Sequence, residues 1–358
     1  MKKLTSMLLS ILMLFSCMAC VLMGGCKKAN VQNVIVVIGD GMGENHILNA
    51  IDYFGLDIPV FMQDQKGYIG TNSLDGTTDS AAGGTALSTG NKVHNSNLAM
   101  LDGDNLESIT EIAQSAGMKT GVVTTDTLDG ATPAAFSAHA SSRSDSLKII
   151  RTQASSKIDL LVGRYASNYN LRSEDFTSKG FTFIDTNYID MCAAKGSNRL
   201  LSMLWDMDSH YISGLETNTP LKDVAKFAVE YLDNDNGFFL MIEGAYIDKN
   251  SHSNNFHKTM CEVRSLIDTI EYLYEYASDG QTVIFITADH ETGGLQRGTN
   301  MDDMNNWLYT STDHTPVPVP LYVKNYAFDA QNFGYEEGET PENTVVFDAC
   351  KAIIAGGK

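Results

Sequence analysis

Short apolar runs alternate with amphipathic segments over most of the chain. Four continuous runs, rich in β-branched and aromatic residues, predict strands that are buried on both faces. These runs are Val34–Ile38, Gly121–Val123, Phe238–Ile242 and Val283–Ile286. A fifth run, Val319–Val323, predicts a strand nearer a sheet edge, because its proline cannot donate a ladder hydrogen bond.

Apolar residues at intervals of three and four predict helices between these strands. The helical segments are Leu106–Ala116, Leu221–Leu232 and Met260–Ala277. Residues 160–215 carry no clear period, and we expect a long excursion with short helices there. The alternation favours an α/β fold with three α/β/α layers and a large, mostly parallel central sheet.

Polar residues follow four of the predicted strands directly. Asp40 comes after the first strand, Thr124–Asp126 follow the second, and Glu243 follows the third. Asp289 and His290 come after the fourth. The carboxyl ends of parallel strands lie along one edge of a sheet, where ligands bind. We therefore expect these side chains to converge at one edge.

The first 26 residues differ from the rest of the chain. Lys2 and Lys3 precede the uncharged apolar run Leu4–Met23, which is the pattern of a secretory signal. An uncleaved membrane anchor is the alternative, because the run is long enough to span a bilayer. Cys26 follows two glycines as in a bacterial lipoprotein signal, and Cys17 is a second candidate for lipidation.

We therefore expect an exported, lipid-anchored protein at the cell surface, periplasmic or extracellular, with membrane contact only through that anchor. Residues 1–26 are then the signal segment, and residues 27–358 form a single domain. Three cysteines lie beyond the signal, and an odd number allows at most one internal disulfide bond. We expect free thiols at Cys192, Cys261 and Cys350.

The charge of the chain narrows the class of partner. Lys and Arg total 25 against 44 Asp and Glu, for a formal net charge of -19. This balance argues against a protein that binds the nucleic-acid backbone. It does not argue against a small anionic substrate, because bound metal ions can invert the local field.

Several acids and histidines have the spacing of metal ligands. Asp248 and His252 are four residues apart, so a helix would place both on one side. Asp289 and His290 can share an ion if the chain bends after the strand, and His314 is a further candidate. Imidazole and carboxylate together suit zinc. Each pair taken alone is more often an ordinary surface feature.

Oxygen ligands form a second candidate set. Asp40, Thr132 and Glu243 offer carboxylate and hydroxyl oxygens, which suit magnesium. Carboxylates directly behind a buried strand are costly unless they are paired or metal-bound. The joint placement of these groups after apolar strands therefore favours a metal centre over solvated loops.

Ser80 and Arg143 are candidates for handling an anion. Ser80 stands in a segment of small residues at a predicted helix N-terminus, where free backbone amides favour anions. The alternative is a serine that only caps a tightly packed helix. Arg143 could grip a phosphate with two parallel hydrogen bonds, and the alternative is an ordinary surface arginine.

Several motifs, in the same order along the chain, together resemble the alkaline phosphatases. They are Gly-Asp-Gly-Met-Gly at 39–43, Thr-Asp-Ser-Ala-Ala at 78–82, Ala-Thr-Pro-Ala-Ala at 131–135, Glu243–Lys249 with His252, and Ala-Asp-His-Glu-Thr-Gly-Gly at 288–294. The resemblance covers roughly residues 33–323. It implies an alkaline-phosphatase-like fold and a metal-dependent hydrolase.

The resemblance also implies a role for each candidate residue. Ser80 is the implied nucleophile that takes the phosphoryl group, and Arg143 the clamp on the substrate phosphate. Two zinc ions and one magnesium ion are implied. Their ligands are Asp248, His252 and His314 for the first zinc, Asp40, Asp289 and His290 for the second, and Asp40, Thr132 and Glu243 for magnesium.

The implied reaction is hydrolysis of a broad range of small phosphate monoesters through a phosphoserine intermediate. Lys249 is close enough in sequence to these ligands for a hypothesis that it reaches the phosphate through water. Gly130 stands where many relatives carry a charged or imidazole side chain, which leaves the identity of the third ion open. The chain is short for the family, so the dimer contacts of relatives cannot be assumed, and a homodimer is left as an open option.

Two rival functions follow from the same residues. A phosphodiesterase or sulfatase of the same superfamily is the alternative enzyme, although the chain has no Cys/Ser-x-Pro-x-Arg sulfatase signature. The alternative without catalysis is an exported binding lipoprotein with a degenerate site. The presence of every expected ligand argues against that reading.

Overall fold

The computed structural model describes residues 32–214, 218–300 and 303–356. The predicted signal segment, with Cys17 and Cys26, lies outside these ranges. None of the helices in the described ranges is both long and apolar enough to cross a membrane.

A nine-stranded sheet forms the centre of the molecule, and two short ribbons lie apart from it. The strands are β1 (Asn33–Gly39), β2 (Gln65–Ile69), β3 (Met100–Leu101), β4 (Asp104–Asn105), β5 (Lys119–Thr124), β6 (Leu160–Arg164), β7 (Thr182–Ile184), β8 (Leu200–Leu204), β9 (Phe238–Gly244), β10 (Thr282–Thr287), β11 (Glu291–Thr292), β12 (His314–Thr315) and β13 (Val319–Lys324). The order across the sheet is β2-β13-β10-β1-β9-β5-β6-β8-β7.

Most of the sheet is parallel. Each neighbouring pair from β10 to β7 runs parallel, and β13 runs antiparallel between β10 and β2. The predicted position of the proline-containing strand is confirmed, because β13 lies one strand in from the edge. Pro320 pairs in register with Tyr68 of the edge strand β2.

Helices surround the sheet in the described part of the chain. They are α1 (Glu44–Phe54), α2 (Ser80–Thr89), α3 (Ile109–Ser115), α4 (Ala131–Ser137), α5 (Ser146–Ser155), α6 (Ser167–Asn170), α7 (Ser173–Thr177), α8 (Tyr188–Ala193), α9 (His210–Ser213), α10 (Leu221–Leu232), α11 (Tyr246–His252), α12 (Phe256–Tyr276) and α13 (Thr344–Ile354). Helices packed on a mostly parallel sheet confirm the predicted α/β architecture.

Capping residues account for the helix boundaries that differ from the predictions. α3 begins at Ile109 because the Ser108 side chain accepts a hydrogen bond from the Glu111 backbone, and the Glu111 side chain reaches back to Ser108. α12 begins one turn earlier than predicted, at Phe256, because the Asn255 side chain accepts from the Lys258 backbone.

The expectation of a long excursion with short helices at residues 160–215 was correct for the helices and wrong for the excursion. This segment contributes β6, β7 and β8 to the sheet, with short helices between them. β6 and β8 are rich in leucine, a good helix former that is weakly diagnostic of a strand. Parallel pairing of Leu160 with Leu200 and of Leu161 with Leu201 buries these leucines completely and overrides local preference.

The centre of the sheet is a rigid apolar support for its polar edge. Every residue of β1, β9 and β10 is buried. Burial of each large apolar side chain contributes about 1.5–3 kcal/mol relative to exposure. The polar groups at the ends of these strands are therefore held by well-packed backbone. Cys192, Cys261 and Cys350, the cysteines of the described ranges, are free thiols, as predicted.

Candidate functional site

Four adjacent strands deliver acids to one edge of the sheet. Asp40 follows β1, Glu243 is the penultimate residue of β9, Asp289 follows β10 and Asp126 follows β5. The backbone continues the parallel pattern at this edge: the Asp40 N–H donates to the Gly244 carbonyl and the Thr125 N–H to the Glu243 carbonyl, each at 3.2 Å. The predicted convergence of these residues at one edge is thus observed.

One cluster joins the ends of β1 and β10. The potential ligand atoms of Asp40, Asp289 and His290 all lie within 4.8 Å of one another. The Nε2 atom of His290 lies 3.5 Å from Oδ1 of Asp40 and 3.3 Å from Oδ2 of Asp289. The same Nε2 atom lies 3.3 Å from Oγ of Ser80, which brings the predicted nucleophile to this cluster.

A glycine makes the close approach at the end of β1 possible. Gly41 has φ +73°, and a Cβ there would stand 2.7 Å from Oγ1 of Thr292 and 2.9 Å from Cβ of Asp248. The Gly41 N–H donates to Oδ1 of Asp289 at 3.2 Å. Glycine is required here for both conformation and space, which explains the Gly-Asp-Gly sequence.

A second cluster lies beside the first. Asp248, His290 and His314 also have ligand atoms within 4.8 Å of one another. Asp248 and His252 are on α11, and Nε2 of His252 lies 3.4 Å from Oδ1 of Asp248 and 3.0 Å from Nε2 of His314. The helical i,i+4 spacing therefore places this pair together, as predicted.

The short ribbon of β11 and β12 places His314. Thr292 pairs with His314 in this ribbon, and the rings of His314 and His290 stack at 3.6 Å between centroids. The Nδ1 atom of His314 lies 2.8 Å from the Thr78 carbonyl oxygen, just ahead of Ser80. His314 thus connects the two clusters to the start of α2.

Thr132 and Glu243 form the third group that the sequence indicated. Both are buried, and the Thr124 hydroxyl donates to the Glu243 carboxylate. Within the described ranges, Oγ1 of Thr132, Oδ1 of Asp40 and Oδ2 of Asp289 are buried and form no hydrogen bond. Buried polar atoms without a partner are rare and costly. These atoms are free to act as ligands.

The carboxyl groups of Asp40, Asp289 and Glu243 have raised pKa values, so their ionised forms need a nearby positive charge. Burial and then repulsion from neighbouring carboxylates raise the pKa of Asp40 well above its ordinary value. Burial and the Asp248 charge raise the pKa of Asp289 to about 7. For Glu243, burial and the Asp126 charge outweigh the hydrogen bond from Thr124 and raise the pKa to about 8.

His290 and Asp248 both have lowered pKa values, for different reasons. Burial lowers the pKa of His290 well below its ordinary value, so this ring is neutral. Although burial opposes it, the interactions with His314, His290 and other neighbours lower the pKa of Asp248. Neutral imidazole and ionised carboxylate are the forms that bind metal ions. Mixed imidazole and carboxylate ligands are of the type that binds zinc, and the oxygens of Asp40, Thr132 and Glu243 are of the type that binds magnesium.

Ser80 is the first residue of α2, as the sequence predicted for a helix N-terminus. Asp79 caps this helix by accepting a hydrogen bond from the Ala82 N–H at 2.9 Å. Gly83 and Gly84 let the helix pack closely: a Cβ at Gly83 would stand 2.9 Å from the Asp289 carbonyl oxygen. The small residues around Ser80 therefore bring it against the end of β10.

We expect Gly83→Ala to destabilise the protein and lower its activity. Helix propensity alone favours alanine by about 1 kcal/mol, but the Asp289 carbonyl leaves no room for a methyl group. The packing cost of about 1–3 kcal/mol should win. Thermal unfolding and the rate on a phosphate ester would measure this. Gly196→Ala, which adds a methyl group where no atom lies within 4 Å, is the control. Equal melting temperatures for the two variants would contradict the packing argument.

Arg143 lies at the rim of the site and not on an unrelated surface. Its side chain is 38% exposed, and Nη1 lies 3.2 Å from Oδ2 of Asp79. Its backbone N–H donates to the Ser96 carbonyl at 2.8 Å. The Arg143 charge opposes the rise in the pKa of Asp40, and it adds to the burial and the neighbouring histidine charges that lower the pKa of His290. The guanidinium is therefore close to the metal-ligand clusters and open to solvent.

The contacts that Asp126, Thr292 and Asp79 make were not anticipated from the sequence. Lys249, next to Asp248 on α11, forms an ion pair with Asp126, with Nζ 2.5 Å from Oδ1. Thr292 donates to Asp248 and contacts Nδ1 of His290. Asp79 both caps α2 and pairs with Arg143. The sequence did carry a signal for Asp126, because this residue lies two positions after the end of the buried strand β5.

Comparison with known proteins gives a consistent result. The family model described as alkaline phosphatase matches residues 31–346. Alkaline phosphatase 4 of Bacillus subtilis (strain 168) is 33% identical over 304 residues, covering 78% of this chain and 65% of that protein. Alkaline phosphatase 3 of the same strain is 31% identical, covering 79% of this chain and 66% of that protein. The chain thus spans slightly less than two thirds of these relatives' length.

Solved structures of the same family are also similar. The alkaline phosphatase from the Antarctic bacterium TAB5 has a TM-score of 0.79 and 28% identity, with 93% of this chain and 100% of that chain covered. A variant of the TAB5 enzyme with magnesium bound in its M3 site has a TM-score of 0.77 and 27% identity, with the same coverage. By the family match over most of its length, this chain belongs to the alkaline phosphatase family.

Proposed function

We propose that this protein hydrolyses phosphate monoesters to an alcohol and inorganic phosphate through a phosphoserine intermediate. The observation that carries the proposal is the position of Ser80. Its Oγ atom lies at the start of α2, 3.3 Å from Nε2 of His290, beside both clusters of metal-ligand side chains. A serine hydroxyl at a helix N-terminus, next to groups that bind cations, is suited to attack an anionic phosphorus centre.

The proposed site holds two zinc ions and one magnesium ion. Asp248, His252 and His314 would hold the first zinc, Asp40, Asp289 and His290 the second, and Asp40, Thr132 and Glu243 the magnesium. The buried, unpartnered oxygens and the raised carboxyl pKa values support this assignment. When bound, the ions would supply Lewis-acid stabilisation of charge on the attacking and leaving oxygens.

The residues of the chain supply the remaining parts of the reaction. Oγ of Ser80 forms a bond to phosphorus as the bond to the ester oxygen breaks, and the alcohol leaves. A water molecule then attacks phosphorus, and the phosphate leaves Ser80 as its hydroxyl is restored. Arg143, open to solvent at the rim, can hold two phosphate oxygens in parallel hydrogen bonds. Lys249 would contact the phosphate through water.

An ion pair with Asp79 fixes the orientation of the Arg143 side chain. Asp79 caps α2, the helix that begins with Ser80. The same side chain accepts a hydrogen bond from Arg143 and so orients it. This arrangement couples the phosphate clamp to the nucleophile through one rigid element. Pre-oriented groups of this kind lower the entropic cost of reaching the transition state.

We further propose that residues 1–26 export the chain and that Cys26 carries a lipid anchor, with residues 27–358 forming one catalytic domain. The charge and hydropathy pattern of the N-terminus supports this. An exported enzyme of this kind would release phosphate from a broad range of small esters outside the cytoplasm.

A comparison of three esters with the same leaving group tests the proposed activity. Purified protein loaded with zinc and magnesium is assayed on p-nitrophenyl phosphate, bis-p-nitrophenyl phosphate and p-nitrophenyl sulfate. We expect kcat/KM for the monoester to exceed that for the other two by at least about 10³-fold, a difference of about 4 kcal/mol in transition-state binding. A faster diester or sulfate ester would favour the rival enzymes, and no turnover of any ester would favour a binding protein.

A further inference from the structure

The loop between β5 and α4 carries a carboxylate to which the proposed reaction assigns no role. Oδ1 of Asp126 lies 2.5 Å from Nζ of Lys249, and the Asp126 side chain is only 17% exposed. Lys249 follows the metal-ligand candidate Asp248 on α11, and its Nζ also lies 4.8 Å from the centre of the Tyr246 ring. The charged end of Lys249 thus contacts both a carboxylate and an aromatic ring.

Backbone hydrogen bonds fix Asp126 in place. Its N–H donates to the Thr124 hydroxyl at 2.9 Å, and that hydroxyl donates to Glu243. Its carbonyl accepts from the N–H of Arg164 at 2.7 Å. These hydrogen bonds connect Asp126 to β5, to β6 and, through Thr124, to Glu243. A carboxylate so held can set the position of a flexible lysine.

The glycine at position 130 leaves space for this carboxylate. A Cβ on Gly130 would stand 2.7 Å from Oδ2 of Asp126 and 3.0 Å from the Thr127 carbonyl oxygen. Gly130 has φ -56°, so its backbone conformation is open to any residue and the conflict is one of space. A side chain at position 130 and the Asp126 carboxylate in its present place exclude each other.

We propose that Asp126 is a positioning residue, which holds the Lys249 ammonium toward the substrate phosphate and occupies the space that a side chain at position 130 would fill. This inference rests on the proposed function, in which Lys249 contacts the phosphate. A free lysine must lose much of its rotamer freedom each time phosphate binds. The ion pair with Asp126 reduces that loss in advance.

The direction in which phosphate affinity changes distinguishes a positioning role of Asp126 from a purely electrostatic one. Removing a negative charge near an anion site would by itself tighten phosphate binding. Loss of the lysine anchor would weaken it. We expect the anchor to dominate, so Asp126→Ala should raise both KM and the inhibition constant of inorganic phosphate by about tenfold. kcat should change by a smaller factor.

A double-mutant cycle with Lys249 tests the proposal. In a Lys249→Ala background, Asp126→Ala should change the inhibition constant of inorganic phosphate by less than about twofold, because the group that it positions is gone. The double variant Asp126→Ala/Gly130→Asp returns a carboxylate from the neighbouring position and should recover much of the lost affinity. The double variant Asp126→Ala/Gly130→Ala adds a side chain at position 130 without a charge, and it should not recover the lost phosphate affinity.

The thermal shift caused by inorganic phosphate, measured on the metal-loaded protein, gives a second reading that does not need turnover. A lower inhibition constant in Asp126→Ala, or an equal effect of that substitution with and without Lys249, would overturn the proposal. An unchanged phosphate affinity in Lys249→Ala would also overturn the proposal. If that variant still hydrolysed monoesters normally, the proposed function would stand and only the role of Asp126 would be rejected.

Discussion

Ser80→Ala is expected to reduce kcat for phosphate monoesters by at least about 10³-fold, the scale seen when a covalent nucleophile is removed. Oγ of Ser80 lies 3.3 Å from Nε2 of His290, a residue that belongs to both ligand clusters. Alanine removes only the attacking oxygen and suits the first turn of a helix. The metal-ligand side chains and Arg143 stay in place, so residual activity would measure what they contribute alone.

Ser88→Ala is the matched control for this substitution. Ser88 lies on the same helix and is also buried, but its hydroxyl donates to the Ala135 carbonyl at 2.7 Å and belongs to neither cluster. We expect Ser88→Ala to lose about 1 kcal/mol of stability and to keep its activity. After an acid quench during turnover, mass spectrometry of wild type and Ser88→Ala should show a phosphoryl group on Ser80. Full phosphatase activity in Ser80→Ala would refute the nucleophile assignment.

The sequence was sufficient to predict the residues at the carboxyl edge of the sheet. Continuous apolar runs predicted β1, β5, β9 and β10, and each of these strands is followed or ended by an acid. Because the sheet is parallel there, adjacency of the strands brings those acids together without any further information. The i,i+4 pair on α11 followed from helical geometry in the same way.

Other parts of the fold depend on contacts between distant segments. β6 and β8 are strands only because they pair with each other and with their neighbours in the sheet, and their leucines carry no local signal for it. The ion pair of Asp126 with Lys249 joins residues that are distant in sequence, and it depends on the space left at Gly130. No pattern of apolar and polar residues in the sequence indicates that this space exists.

The same buried carboxylates that make the site suited to cations make it unfavourable without them. Asp40, Asp289 and Glu243 lie at adjacent strand ends, and burial is the largest cause of the rise in each pKa. Each one must either take up a proton or face a cation to avoid an unpaired buried charge. Protons and metal ions should therefore compete for this edge of the sheet, and the competition should appear in stability.

Removal of the metal ions is expected to abolish hydrolysis and to reverse the pH dependence of stability. In chelated protein, the folded-state pKa values of about 7 for Asp289 and about 8 for Glu243 exceed the ordinary values. The folded state then binds more protons than the unfolded state, so the free energy of unfolding should fall as pH rises from about 4 to about 8. Each of these carboxyl groups costs on the order of 4 kcal/mol once it is ionised without a cation.

Urea unfolding at pH 5 and pH 8, with and without chelator, measures this effect. Bound zinc and magnesium prefer the ionised carboxylates, so the metal-loaded protein should gain stability over the same range. In chelated protein, Asp289→Asn should reduce the loss between the two pH values, whereas Asp57→Asn, at an exposed position, should not. Restoring zinc and magnesium to chelated wild type should restore both stability at pH 8 and hydrolysis. A chelated protein that is equally stable at both pH values, or fully active, would show that these carboxyl groups do not form a metal centre.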